Sequence, residues 1–130
     1  MKMTPDWRTL LQQPTWSDQV AFLRKSDLNH EAGLSQLLDE AMELARSQPV
    51  QARQLTILCA QVAEEVNAPA IIPRATYFRA QTHAASGEFN LARQLIEEAS
   101  EGYEALGDEL AALRTNIGLM HVWSAVGHYD

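Results

Sequence analysis

The sequence predicts an all-α chain assembled from antiparallel helical hairpins, and three observations predict it. Apolar residues recur at three-four spacing from Leu34 onward, strand signals are absent, and a block of sequence returns after forty residues. Ala52-Arg53-Gln54-Leu55 reappears as Ala92-Arg93-Gln94-Leu95. The same offset pairs Glu64 with Glu104, Arg74 with Arg114, Ala85 with Ala125 and Gly87 with Gly127. These make eight identities between Ala52 and Asn90, where ordinary composition gives roughly two or three.

Each element follows in order. Thr4, with Pro5 after it, predicts a short first helix, and Thr15-Trp16-Ser17-Asp18 reads as a capping box for a helix from Trp16 to Lys25. Residues 1–30 form a divergent N-terminal helical cap that covers the start of a stack. The next helix carries Leu34, Leu37, Leu38, Ala41, Leu44 and Ala45 on one stripe and stops before Pro49. Its partner runs from Val50 to about Val66, and Asn67-Ala68-Pro69 closes the unit. A third helix opens near Pro73 and stops at Gly87, a fourth spans Glu88 to about Leu106, and Gly107 ends it. Asp108 caps a last helix from Glu109 to Val126. The units therefore cover about 34–68, 73–107 and a truncated 108–130.

Composition narrows the function. A chain of 130 residues, 46% hydrophobic and 21% charged, holds one folded domain. A net charge of −7 argues against nucleic acid, since neutralising phosphates takes a Lys/Arg surplus. No apolar run reaches the roughly 18 residues of a membrane span, and the N-terminus has no signal-peptide core. Cys59 stands alone in an apolar stretch and reads as an inert core thiol, which makes the cytoplasm the default location.

Within Pro73–Leu106, Ala80 supplies a small residue in the first helix, Gly87 and Phe89 form a Gly-x-aromatic turn, and Ala92 and Ala99 supply small residues in the second. Gly127-His128-Tyr129-Asp130 repeats that turn. On these residues the chain resembles the tetratricopeptide repeat, in an extended-helix variant like those of bacterial regulators and kinesin light chains. Thr76 and His83 depart from the pattern, standing where large aromatics are usual, and the forty-residue period exceeds the usual one of about 34. HEAT and armadillo repeats share the longer period but lack this turn. The resemblance implies a right-handed α-α superhelix, a TPR-like solenoid whose first helices line a concave groove. The segment Trp16–Lys25 resembles regions that precede such repeats in bacterial signalling proteins, some of which end in a CHAT-type protease.

Catalytic patterns are missing. The six glycines never reach phosphate-loop spacing, the four histidines form neither His-Glu-x-x-His nor Glu-x-x-His, and Cys59 has no linked histidine. No cofactor, metal or enzymatic activity is expected. Between Glu88 and Asp130 eight acidic residues face two arginines, which localises six of the seven net negative charges. Glu97, Glu101 and Glu104 share a helix face that reads as solvated, or as a patch for a basic partner.

Carried over from the resemblance, the groove positions are Arg74, Tyr77, Gln81 and Ala84, then Arg114, Ile117 and His121 forty residues on, with Leu34, Leu37 and Ala41 from the first unit. Arg74 and Arg114 can clamp a carboxylate of a bound peptide, or pair with neighbouring acids. The last helix is apolar on more than one side, which leaves a face anchored by Met120 and Trp123 for self-association as a homodimer. The chain ends where another helix should begin, so a fragment of a longer array is expected. The leading reading is a scaffold within a larger bacterial protein that binds a peptide or partner domain. The rivals are a regulatory solenoid sensing a ligand for an attached transcription factor or protease, and a structural oligomerisation module.

Overall fold

The computed structural model describes residues 7–127, without the side chains of 119 and 121–127. Among the described residues the chain forms seven α-helices and no strand: α1 (Trp7–Gln12), α2 (Trp16–Lys25), α3 (Glu31–Leu44), α4 (Pro49–Glu65), α5 (Ile71–Ala85), α6 (Phe89–Ala105) and α7 (Glu109–Gly127). The all-α class agrees with the sequence. Thr4, Pro5 and the turn expected at His128-Tyr129-Asp130 lie outside the described residues. No helix among the described residues is long and apolar enough to cross a membrane.

Side-chain caps fix several helix starts. Thr15 Oγ1 accepts the Asp18 N–H at 3.1 Å, and Asp108 Oδ1 accepts the Ala111 N–H at 3.0 Å. α3 begins three residues earlier than expected because His30 caps it. Its Nδ1 accepts the Gly33 N–H at 3.2 Å while Nε2 donates to the Asp27 carbonyl at 2.8 Å, a pair of bonds that fits the neutral ring. α5 begins at Ile71, two residues before Pro73. A proline in the first turn removes an N–H that has no partner within the helix, so it costs no intrahelical bond.

The stops of α2, α4, α5 and α6 share one geometry. Asp27, Asn67, Gly87 and Gly107 are left-handed, with φ of 56°, 57°, 80° and 77°. After each, an N–H reaches back five residues: Leu28 to Leu23, Ala68 to Ala63, Glu88 to His83 and Asp108 to Tyr103, at 2.8–3.0 Å. Asp27, Asn67 and Gly107 lie forty residues apart. Asp and Asn tolerate this conformation better than other side chains, which is why two of these turns carry no glycine. α4 and α6 are each 17 residues long and start forty apart. Their equivalent positions Ala52 and Ala92, Leu55 and Leu95, Thr56 and Ile96, and Cys59 and Ala99 are all buried.

The larger core gathers Leu10, Leu23, Leu34, Leu37, Leu38, Leu55 and Val62, and a smaller one joins Ala80 of α5 to Ala92, Leu95 and Ile96 of α6. Leu34, Leu37 and Ala41 are fully buried. The expectation that they face a groove is therefore corrected: α3 turns these residues into the cluster that Leu10 and Leu23 of the first two helices share.

Arg53 ties α4 to the end of α5. Its Nε donates to Thr82 Oγ1 (3.0 Å), and Nη2 donates to the Thr82 carbonyl (3.1 Å) and Ser86 Oγ (2.8 Å), with Glu88 Oε1 at 3.4 Å. Thr82, itself fully buried, donates its hydroxyl to the Arg79 carbonyl at 2.6 Å.

The entry to α3 has no room for a side chain at Gly33, where a Cβ would stand 2.5 Å from both Cα and the carbonyl oxygen of Leu28. Rigid backbone cannot yield as a side-chain tip can. Gly33→Ala is expected to destabilise the chain by about 1–3 kcal/mol, read as a lower urea midpoint with unchanged slope. A midpoint equal to that of the parent would contradict this packing.

Candidate functional site

A groove of about 780 Å³ crosses α3, α5 and α7. Ser35 of α3, Arg74 and Tyr77 of α5, and Ala111 and Arg114 of α7 line it, the α4–α5 turn adds residues 67–70, and Tyr103 and Leu106 contribute from the end of α6. First helices of successive hairpins thus meet at one surface, with Phe78 adding a third aromatic ring.

Arg74 is engaged inside the molecule. Nη2 donates to Asp39 Oδ1 at 2.5 Å, Nη1 donates to Ser35 Oγ, and the guanidinium carbon lies 5.1 Å from the centre of the Phe78 ring. These bonds tie α5 to α3. Arg114, by contrast, is exposed and has no ion-pair partner among the described residues. The two arginines share the groove, and among the described residues only Arg74 of the pair is held by an acid.

Tyr77 rests against α7 at Gly118, where a Cβ would come within 2.6 Å of the tyrosine hydroxyl. That close approach accounts for a glycine in mid-helix. Burial pushes the Tyr103 hydroxyl above its ordinary value, Arg74 pulls it back, and Asp108 and Tyr77 push it up again. The phenol stays protonated at neutral pH and faces the groove as a hydrogen-bond donor.

The structure brings Arg74, Tyr77 and Arg114 together, but not the remaining groove candidates. Gln81 and Ala84 are half-buried away from the groove lining, with Ala84 packed on the Ala80–Ala92 cluster. Ile117 is exposed and does not line the groove, although it stands one turn from Arg114. Met120 is exposed on the side of Ile117, while the side chains of His121 and Trp123 lie outside the described residues. Sequence reasoning missed Phe78, Tyr103 and Asp108 as groove residues. The available signal was position: Tyr103 and Asp108 flank the stop at Gly107, where the chain turns toward α7.

No group of three or more His, Cys, Asp or Glu side chains converges among the described residues. Glu97, Glu101 and Glu104 are exposed. His83 Nδ1 lies 3.1 Å from Glu88 Oε1, within hydrogen-bond reach. The chain was compared with protein families, curated proteins and solved structures, and none of the three comparisons returns a match.

Cys59 is buried, and its Sγ–H points to the Leu34 carbonyl at 3.8 Å. Burial pushes the thiol up from 9.0 to about 12, against a smaller pull from Arg74. Between these values the unfolded thiol loses its proton while the folded one keeps it, so this group's stabilisation, intact below pH 9, declines as pH rises toward 12. Urea midpoints measured across that window are expected to fall less steeply for Cys59→Ala than for the parent. Parallel profiles would contradict the assignment.

Proposed function

We propose that the chain is a non-enzymatic, tetratricopeptide-like scaffold that binds an extended segment of a partner protein in the groove across α3, α5 and α7. The recurrence of left-handed turns at Asp27, Asn67 and Gly107, and the matched helices α4 and α6, support the repeat part of this reading. The observation that carries the binding part is the juxtaposition in one groove of Tyr77 and Tyr103 with Arg114, which has no ion-pair partner among the described residues. Such a surface suits a segment presenting one carboxylate and one apolar or aromatic side chain, with the guanidinium fork fixing the first and the rings covering the second. Arg74 serves as a brace and not as half of a clamp. In this reading the scaffold works in the cytoplasm, within a larger bacterial signalling protein, as the resemblance implies.

A second reading, a regulatory solenoid that senses a small molecule, is favoured by the groove's volume, which falls in the range of small-ligand pockets. The occupant distinguishes the two.

The test screens an array of extended peptides and titrates the tightest binder calorimetrically. Arg114→Ala is expected to weaken binding about tenfold, the loss of one charge-assisted contact of about 1.4 kcal/mol, at unchanged melting temperature. Arg74→Ala is expected to lower stability by about 1 kcal/mol, because it releases Asp39 and Ser35 in a partly exposed pair. Binding that ignores Arg114→Ala, or an array without binders beside a small-molecule hit, would overturn the peptide reading.

A further inference from the structure

α5 and α7 stand forty residues apart and differ in what covers them. α5 packs on both α4 and α6. Ile71 and Ala75 turn into the larger core, and Ala80 meets Ala92, Leu95 and Ile96 of α6, with Tyr77 and Ala84 beside it. Pro73 takes the close approach of α6 at Gly102, where a Cβ would lie 3.0 Å from the proline ring. α7 packs on α6 through the side that holds the buried Ala112 and Thr115.

The residues forty after Pro73, Tyr77 and Ala80 are Leu113, Ile117 and Met120, which are 59%, 51% and 69% exposed. Leu110, 59% exposed, extends the row by one turn. The face that α5 gives to a neighbouring helix is thus the face that α7 leaves bare. Its residue sizes differ, however. α5 offers proline and alanine, which admit α6 at short range, whereas α7 offers leucine, isoleucine and methionine at 3-4-3 spacing. That spacing is the narrow seam of a coiled coil, which seats a helix bearing large side chains at an axial separation of about 8–10 Å.

We propose that this row is the contact between two copies of the chain, packed α7 against α7 in antiparallel fashion. A two-fold axis at the level of Thr115 sets Leu113 opposite the partner's Ile117 and Leu110 opposite the partner's Met120, so one row supplies both halves of the seam. Charge selects the orientation. Asp108 and Glu109 are exposed at the start of α7, and from Thr115 to Gly127 the sequence has no acidic or basic residue apart from His121. Antiparallel packing lays each acidic start beside the uncharged half of the other helix and opposes the two helix dipoles, whereas parallel packing would set the acids together. Arg114, exposed and one turn from both Leu110 and Ile117, flanks this row at the edge of the groove.

A seam of four large side chains per copy lies at the small end of specific interfaces, so the dimer is expected to form in the micromolar range and to strengthen with salt as the like net charges are screened. Sedimentation of the full chain over a concentration series should show the mass rising from 14.5 kDa toward twice that value. The doubly substituted Leu113→Glu/Ile117→Glu chain should stay at the single-chain mass with unchanged helical circular dichroism, because both side chains face solvent in one copy. As an independent reading of orientation, Leu110→Cys and Met120→Cys chains are mixed under mild oxidation. Antiparallel packing predicts that the mixed disulfide forms in excess over either like-with-like product, and the buried Cys59 does not compete. A parent chain that stays monomeric at every concentration overturns the proposal and leaves the row to a helix of another protein. A dimer that survives the two glutamates, or like-with-like disulfides in excess, overturns it as well.

Discussion

The groove depends on one joint, the reach of Arg53 from α4 to the end of α5. A helix end leaves carbonyls without intrahelical partners and carries the negative pole of the helix dipole. The Arg53 guanidinium, 23% exposed, answers both by bonding the Thr82 carbonyl, Thr82 Oγ1 and Ser86 Oγ in one planar fork. The turn at Gly87 follows directly, so the joint fixes where α6 departs. α6 in turn brings Tyr103 and Leu106 to the groove, and α7 then supplies Arg114. Arg93 occupies the corresponding, half-buried position on α6.

Much of this is legible in the sequence. Three-four spacing and turn residues are local signals, and they located α2 and the C-terminal four helices to within a few residues. Gly87 and Gly107 announced their own left-handed turns. Asp27 and Asn67 did not, because either residue also sits comfortably in loops, and the forty-residue spacing therefore went unseen toward the N-terminus. α3 began early because an imidazole took the cap, a role that serine, threonine or aspartate fill more often.

The groove was less legible than the helices. Arg74, Tyr77 and Arg114 came from the resemblance, which turns first-helix residues toward a groove, and from the forty-residue offset that pairs Arg74 with Arg114. Leu34, Leu37 and Ala41 came from the same resemblance and still went to the core. The cap expected over residues 1–30 reaches further than the groove assignment allowed for, since Leu10 and Leu23 of the N-terminal helices share one core with these three residues. Arg74's pairing with Asp39 joins two helices 35 residues apart in sequence, a contact that no local pattern encodes. The repeated Ala-Arg-Gln-Leu did hold a clue to the joint, in an arginine kept at equivalent places beside buried alanine and leucine.

Amide hydrogen exchange of Arg53→Lys against the parent tests the joint most directly. Lysine keeps the charge and the stem but presents a single point donor, which cannot span the Thr82 carbonyl and both hydroxyls at once. The account predicts faster exchange across residues 83–92 and at the groove wall from 103 to 115, with the protection of α3 and α4 retained. Unchanged exchange across the α5–α6 turn, or a uniform loss over the whole chain, would contradict it.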